Sequence, residues 1–543
     1  MTNRARTDIL LIAGFCAFLF FYGLGQFGLI GADEPRYAQV AREMLERRDW
    51  ITPTLGGQAW LEKPPLFYWQ AMLAYMILGV SDWSARVPAA LDASLMVAAV
   101  YLFLRRLRRG FELDGALMTA SCAGVIGYAH AASMDMTLAS TFTISMLAWW
   151  AWEEGGRRIF LVVFYVSLAL GMLAKGPVAS LLAAAIIALY AIMGREPRLI
   201  VRTLWMPGIL LLCGIALPWY VAVQMRNPQF FHIFILEHNL ERFSTDLYHH
   251  SEPFWYYAPV TVLALVPWTV FVIAAFARTV GIWRKDSRLK TQESEPRNAL
   301  SVFACCWLVV PVVFFSLSQS KLPGYILPAI PAGALLLAEY LRQHLIADQN
   351  ASAAKWLIVV HALVAAAPIV PALLIVYVLT QHRLPGGQPI VVALSVAFLL
   401  SGAIALTLAS RLGLRMLRFV TLIPVVLIVA AVLKVGSPAL DQTLSARPLA
   451  QEISRIETHR LPLAVYGVSR ETEYGLAFYR DQSTSRYEWG RIPGEEHLLV
   501  ARENSQAEIA QLIAGRRISF LGNFSPQHLD YYWVAAVGTS PKH

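Results

Sequence analysis

A chain of 543 residues that is 57% hydrophobic and only 15% charged, with a mean hydropathy of +0.52, is neither a soluble enzyme nor a disordered chain, since soluble domains carry about 25% charged residues and disorder requires more charge still. The net charge of +9 comes from 45 Lys and Arg against 36 Asp and Glu, and nucleic acid is a poor partner for a chain this apolar. All five cysteines lie inside apolar runs, so no disulfide framework is expected.

Apolar segments long enough to cross a hydrocarbon core are read near 8–30, 84–104, 113–130, 133–151, 159–174, 177–194 and 203–224. Six more follow near 255–277, 299–317, 323–341, 355–379, 388–409 and 416–436. About thirteen spans put the termini on opposite sides of the membrane and suffice for a self-contained monomer. The first follows Arg4 and Arg6 and is read as an uncleaved helix, because its apolar run is too long for a signal peptide and no A-x-A site follows. With the N-terminus cytoplasmic, the inside loops collect Arg105, Arg106, Arg108 and Arg109, then Arg157 and Arg158, then Arg195, Arg198 and Arg202. Later inside loops continue the bias through Arg418. This is the positive-inside pattern, and these basic loops are read as topology determinants.

Between the first two spans, Tyr37, Val40, Ala41, Met44 and Leu45 recur at helical spacing with Arg42, Arg47 and Arg48 opposite, which predicts an amphipathic helix over 35–48 resting on the membrane. The apolar stretch 66–79 is too short to cross, and counting it as a span would turn every later basic loop outward, so it is placed along the interface. Two further outside segments stand out, 226–254 and 318–322. Beyond about residue 440 short apolar runs at 463–468, 498–501, 518–522 and 531–538 alternate with helical patterns at 446–457, 471–480 and 505–515, the signature of a small α/β domain. The expected fold is therefore mainly α and polytopic. A membrane domain spans 1–439, with outer loops at 31–83 and 226–254, and an α/β domain on the outer side spans 440–543. No internal repeat of fixed period is found.

The outer segments gather Asp33, Glu34, Arg36, Glu62, Lys63, Lys175, Arg226, His238, Arg242, His249, His250 and Lys321. Arg and Lys at headgroup depth suit a lipid-borne phosphate and would stabilise charge developing on a phosphate leaving group. Each residue also has a plainer reading. Asp33 and Glu34 beside Pro35 are either helix-terminal carboxylates or carboxylates facing a reaction centre. Glu62-Lys63-Pro64-Pro65 is either a turn with an exposed ion pair or a site. His249 and His250, ahead of an aromatic run, are either interfacial polar groups or ligands, and no local spacing supports a metal. Asp135, at the outer end of the fourth span, is either functional or half of an internal ion pair.

ADEPRYAQVAREML (32–45), DWITP (49–53) and LEKPPLFYW (61–69) resemble the first periplasmic loop of bacterial aminoarabinose transferases. These are lipid A modifying members of the GT-C glycosyltransferases, related to protein O-mannosyltransferases. The likeness continues in MDM (134–136), AKGP (174–177), HHSEPFWYY (249–257) and SQSKLPGYILP (318–328). The resemblance implies a GT-C fold with a C-terminal periplasmic domain in the bacterial inner membrane. It also implies transfer of 4-amino-4-deoxy-L-arabinose from undecaprenyl phosphate to lipid A phosphates, which masks negative charge and weakens binding of polymyxin and cationic peptides.

By the same resemblance Asp33 is the catalytic carboxylate and Lys63 meets the donor phosphate. Glu62 with His250, and His249 beside it, is assigned to a divalent metal, zinc. Asp135, Lys321 and Tyr325 match positions near the cavity, and Arg36 or Arg242 joins Lys63 at the departing phosphate. An acceptor phosphate is already anionic, so Asp33 is expected to orient substrate or stabilise charge at C1 rather than act as a base. Two rivals are kept. One is a sibling GT-C enzyme moving mannose or another sugar to a hydroxyl, for which Asp33 would be a general base. The other is a lipid transporter, against which stand the missing repeat and the polar groups at the outer surface rather than the midplane.

Overall fold

The computed structural model describes residues 3–234, 236, 252–289, 299–347, 355–379, 388–410, 413–513 and 515–538. Within them eight helices are long and apolar enough to cross a membrane, or nine if the pair Tyr257–Ala264 and Thr269–Lys285, bent by 115°, counts as one span. Helix is present at the other four positions read as spans. Asn3–Cys16 continues into a π turn at Ala17–Phe21, Glu112–Ser121 and Ala123–Ala129 are separated at Cys122, and Met134–Gly155 and Val178–Met193 are single helices. The interruption at Cys122 is a residue with extended backbone, ψ 131°. Pro88, Pro218, Pro311 and Pro424 lie inside helices, which neighbouring helices make tolerable in lipid. All five cysteines are free.

The chain divides into two compact units. The first comprises Met1–Tyr22, Leu61–Phe67 and Arg86–Val435, and the second Gly23–Trp60, Tyr68–Ala85 and Gly436–His543. In the first unit an aromatic cluster fixes the helices that carry the site. Phe303 stacks on Trp149 and Trp150, with ring centroids 5.3 and 4.9 Å away, and meets the edge of Tyr190. Helices Met134–Gly155, Val178–Met193 and Ala299–Ser316 are thereby locked together. From the last of these, the buried Trp307 indole N–H donates to the Pro328 carbonyl at 2.9 Å and anchors the 3₁₀ segment Pro323–Ala329.

In the second unit a hairpin of β1 (Thr54–Leu55) and β2 (Gln58–Ala59) lies apart from a five-stranded sheet. The sheet contains β3 (Leu463–Tyr466), β4 (Thr484–Arg486), β5 (His497–Arg502), β6 (Ile518–Phe524) and β7 (Leu529–Val534), in the order β4-β3-β5-β7-β6. Strand β3 is parallel to β4 and β5, while β7 is antiparallel to β5 and β6. Alternate residues of β3 and β5 enter opposite cores. Leu463, Val465, Leu498 and Val500 pack on one side, and Ala464, Leu499 and Ala501 on the other. Burial on both faces is why these strands read as continuous apolar runs. The helices Arg447–Ile456, Arg470–Arg480 and Gln506–Leu512 stand where the sequence predicted them. Edge strand β4, with sequence TSR, carries no apolar signal and was not anticipated.

The first outer loop holds helix Asp33–Glu46 and helix Leu66–Leu78. The stripe Tyr37, Val40, Ala41 and Met44 expected to face lipid is buried by protein instead. Helix Leu66–Leu78 supplies part of that cover, with the Tyr68 ring 6.2 Å from Tyr37, while on the other face the Arg42 guanidinium donates to the Phe478 carbonyl at 2.9 Å and pairs with Asp481 at 3.2 Å. A 14-residue helix shields its apolar stripe wherever a partner is offered, and its polar face is bound by residues from the far end of the chain. Helix Leu66–Leu78 keeps Leu73, Met76, Ile77 and Leu78 exposed.

Candidate functional site

Two clusters contain the site residues that the structure describes, one in each unit. In the first unit three of the motif segments that carry the family resemblance converge. Helix Met134–Gly155 starts at Ser133, whose side chain accepts from the Asp135 backbone N–H at 3.3 Å, so Asp135 sits in the first turn. Helix Arg158–Lys175 ends at Gly176, whose φ of +92° turns the chain directly after Lys175. The Lys175 ammonium ion-pairs with the Asp135 carboxylate, and both side chains are largely shielded. Its Nζ also lies 4.3 Å from the centre of the Tyr325 ring, a cation–π arrangement. Tyr325 packs on Phe315, and the Tyr257 hydroxyl accepts from the Leu322 N–H at 3.1 Å while donating to the Leu322 carbonyl at 3.0 Å. Tyr257, expected in an aromatic belt, is therefore a buried clamp on the Lys321–Tyr325 segment, whereas Phe254 and Trp255 beside it stay exposed. Gly324 allows the approach, since a Cβ there would stand 2.7 Å from the Tyr128 hydroxyl and 2.8 Å from Asp135 Cγ.

Lys321 is 6% exposed and its ammonium donates to the Ser318 carbonyl at 2.5 Å. It meets no carboxylate among the described residues. A buried ammonium with only a carbonyl for company is costly, and the arrangement is suited to receive an anion. Glu62 and Lys63 belong to the same unit and lie half-buried in the irregular segment that precedes helix Leu66–Leu78.

In the second unit the two adjacent carboxylates part company. Glu34 is 5% exposed and its Oε2 accepts from the Ile30 N–H at 2.8 Å, which is helix-terminal work. Asp33 leaves 48% of its side chain exposed and pairs with Arg36, one turn along. Arg36 is itself enclosed: its guanidinium lies 5.0 Å from the Tyr37 ring, 5.1 Å from Trp60 and 5.9 Å from Tyr474. Three aromatic faces around one arginine hold the Asp33 partner in a fixed orientation. Trp60 and Tyr474 were missed from sequence, because nothing local to either marks it as a neighbour of Arg36.

Arg242, His249 and His250 lie outside the described residues, as does His238. Among the described residues no three His, Cys, Asp or Glu side chains are grouped to hold a metal ion. Glu62 therefore has no assembled donor set around it there, and no step below is routed through a metal. Lys175 emerges as a central member of the cluster. The sequence places it among the outer cations and does not assign its pairing with Asp135.

Residues 8–234 match the dolichyl-phosphate-mannose-protein mannosyltransferase family. Over 355 residues the chain is 33% identical to an undecaprenyl phosphate-alpha-4-amino-4-deoxy-L-arabinose arabinosyl transferase of Pseudomonas aeruginosa, covering 64% of this chain and 61% of that one. It is 30% identical over 340 residues to the protein of the same name from Erwinia tasmaniensis, covering 61% and 59%. The chain thus aligns with about three fifths of the length of these curated relatives. The crystal structure of ArnT from Cupriavidus metallidurans bound to undecaprenyl phosphate superposes with a TM-score of 0.73 at 21% identity, over 98% of this chain and 99% of that one. That likeness establishes a shared GT-C fold, the mainly helical polytopic class expected. Together with the motif segments that fold around Asp135, these comparisons make the chain similar to the protein mannosyltransferases over residues 8–234 and to the aminoarabinosyl transferases over about three fifths of their length, within a shared membrane fold.

Proposed function

We propose that this protein transfers 4-amino-4-deoxy-L-arabinose from undecaprenyl phosphate to a phosphate of lipid A, at the periplasmic face of a bacterial inner membrane. The observation that carries the reading is the 33% identity to a curated arabinosyl transferase over 355 residues. In the reaction an acceptor phosphate oxygen attacks C1 of the sugar, the C1–O bond to the donor phosphate breaks, and undecaprenyl phosphate leaves with the electron pair. No proton has to move, because the nucleophile is already an anion.

The demands on the protein are then electrostatic. Lys63 and Lys321, with Arg242, are assigned to the charge that grows on the departing phosphate, a task for preorganised cations. Lys321, buried and without a carboxylate among the described residues, is suited to it. Tyr325 and Lys175 shape the wall around Asp135, and Asp135 holds Lys175 in place. Asp33, oriented by Arg36, is assigned to positioning substrate or stabilising positive charge at C1. Zinc at Glu62 and the loop histidines would add a further cation for the phosphate. The outer loop 31–83 within 1–439 is assigned to catalysis, and 440–543 to support of that loop and of the acceptor. The chain is taken to act as a monomer, and the modification would lower lipid A charge and with it polymyxin binding.

The family match over 8–234 favours one second reading, transfer of a hexose to a hydroxyl, in which Asp33 would take a proton. Mass spectrometry of lipid A incubated with purified protein and undecaprenyl-phosphate-linked aminoarabinose separates the two. An aminoarabinose increment with wild type that is lost in Asp33→Ala is the expected result. No increment from folded protein, with transfer from a polyprenyl-phosphate hexose to a hydroxyl acceptor, would replace the first reading by the second.

A further inference from the structure

The run RRLRR at the end of helix Asp82–Leu107 is more than a topology signal, because its arginines divide by face. Arg108 turns to one side and is neutralised, its guanidinium binding the Glu154 carboxylate at 2.6 and 3.1 Å and lying 3.6 Å from Glu339. Arg105, Arg106 and Arg109 turn to the other side. Leu102, Arg105 and Arg106 fall at i, i+3 and i+4 on one helical face, Arg109 follows in the turn just past the helix end, and with Leu107 they line an open cavity of about 550 Å³. None of the three meets a carboxylate among the described residues. Arg105 hydrogen-bonds the Tyr101 hydroxyl at 3.2 Å, and the Arg106 guanidinium lies 4.8 Å from the Phe160 ring centre. The Tyr101 hydroxyl in turn donates to Asp8 at 3.2 Å, so Arg105 reaches a carboxylate only through that hydroxyl, while the Phe160 ring steadies Arg106 without neutralising it.

A second observation names the ligand class. Leu91, Leu95 and Leu102 on the same helix are 53–61% exposed, and at 3.6 residues per turn they lie in line with the arginine face. A cavity of unneutralised guanidinium groups continued by an apolar stripe along the helix matches a phosphate headgroup with its acyl chains. We propose that this cavity binds the headgroup of an anionic phospholipid, on the side that the charge bias assigns to the cytoplasm. Forked guanidinium donors hold its phosphate oxygens, and the leucine stripe carries its chains. The site is separate from the transfer chemistry and does not depend on which sugar is moved.

The test is native mass spectrometry of the full chain purified in detergent, titrated with phosphatidylglycerol, phosphatidylcholine or inorganic phosphate. Phosphatidylglycerol adducts should persist on wild type where phosphatidylcholine adducts do not. Retention should fall on the order of a hundredfold in the Arg105→Gln, Arg106→Gln, Arg109→Gln triple variant, at about a fivefold loss per guanidinium. Should the triple variant fail to fold or insert, Arg106→Gln alone keeps two arginines and should still weaken retention about fivefold. The pair Arg157→Gln, Arg158→Gln removes two charges elsewhere on the same side and should change nothing, whereas Arg105→Gln, Arg106→Gln, which removes the same number, should weaken retention about twenty-fivefold. Unchanged retention in the arginine variants, or equal loss in the control pair, would overturn the proposal. Displacement of the lipid by millimolar inorganic phosphate would reassign the cavity to a soluble anion.

Discussion

The Asp135–Lys175 pair and Lys321 meet different electrostatic problems. The Asp135–Lys175 pair is largely shielded from solvent, and breaking one side leaves an uncompensated charge. Lys175→Met should therefore cost about 3 kcal/mol, and Asp135→Asn with Lys175→Met should recover much of it, read as melting temperature in detergent. Lys321 has no such partner among the described residues, so its burial is a cost to stability. Lys321→Met should leave the melting temperature unchanged or raise it, while donor affinity falls about tenfold. A fall in stability with unaltered donor binding would make Lys321 structural. Lys63→Glu, at the position matched to the donor phosphate, should abolish transfer and leave the melting temperature unchanged. Asp33 and Glu34 show why neighbours need separate accounts, since spacing at a helix start is the same for both. Only the Ile30 N–H on Glu34 and the Arg36 guanidinium on Asp33 tell them apart.

At the scale of elements, the entry to helix Asp33–Glu46 is held by residues from the C-terminal part of the chain. Arg447 binds Asp441 and Asp82 and donates to the Gly25 and Gln26 carbonyls. The Tyr479 hydroxyl accepts from the Leu29 N–H at 2.6 Å, and Asp441 Oδ1 accepts from the Gly28 N–H at 2.7 Å. A side chain at Gly28 would collide with Ser445, Tyr479 and Arg447. Arg447→Gln should lower stability by about 2 kcal/mol, discounted for partial exposure. It should also reduce turnover by loosening the approach to Asp33, whereas stability loss with full turnover per folded molecule would deny that link. Segments with a strong local period were legible in advance: the apolar helices, the strands of the terminal domain and its three helices. The partner of the 35–48 stripe was not, because a helical period says that a face will be covered and not by what. The same holds for β4, whose three polar residues enter the sheet through pairing with β3.

For the molecule as a whole, the terminal sheet gives a stability dependence on pH that is separate from catalysis. His497 is buried in β5, with Nε2 facing the Tyr487 hydroxyl at 2.5 Å and Nδ1 facing the Glu495 carbonyl at 2.8 Å. Burial first, and Arg516 second, hold it below the ordinary histidine value. The unfolded chain therefore takes up this proton before the folded one does. The stabilisation from a neutral His497 is complete above about pH 6.5 and is lost as pH falls below that value. Burial pushes Glu473 upward despite Arg486, an opposite contribution that grows in as pH falls toward the carboxylate range. Protection factors in β5, referred to the intrinsic exchange rate at each pH, should thus fall as pH drops below about 6.5, and His497→Gln should flatten that response. An unchanged response in the variant would assign it to other groups.

What the sequence determined by itself is whatever depends on composition and period. Lipid is the only solvent that accepts a chain this apolar, arginine bias orders its loops, and runs of span length must form helices because no water is present to satisfy their backbone. The motif segments also carried the family likeness, since they are contiguous. Only the tertiary structure decided which charges are neutralised and which are left to bind. Lys175 finds Asp135, Arg36 finds Tyr474, and Arg108 finds Glu154 and Glu339, while Lys321 and three arginines of one run find no carboxylate among the described residues. Ion pairing is settled by distances of a few ångströms between groups remote in the chain, and no local pattern encodes them.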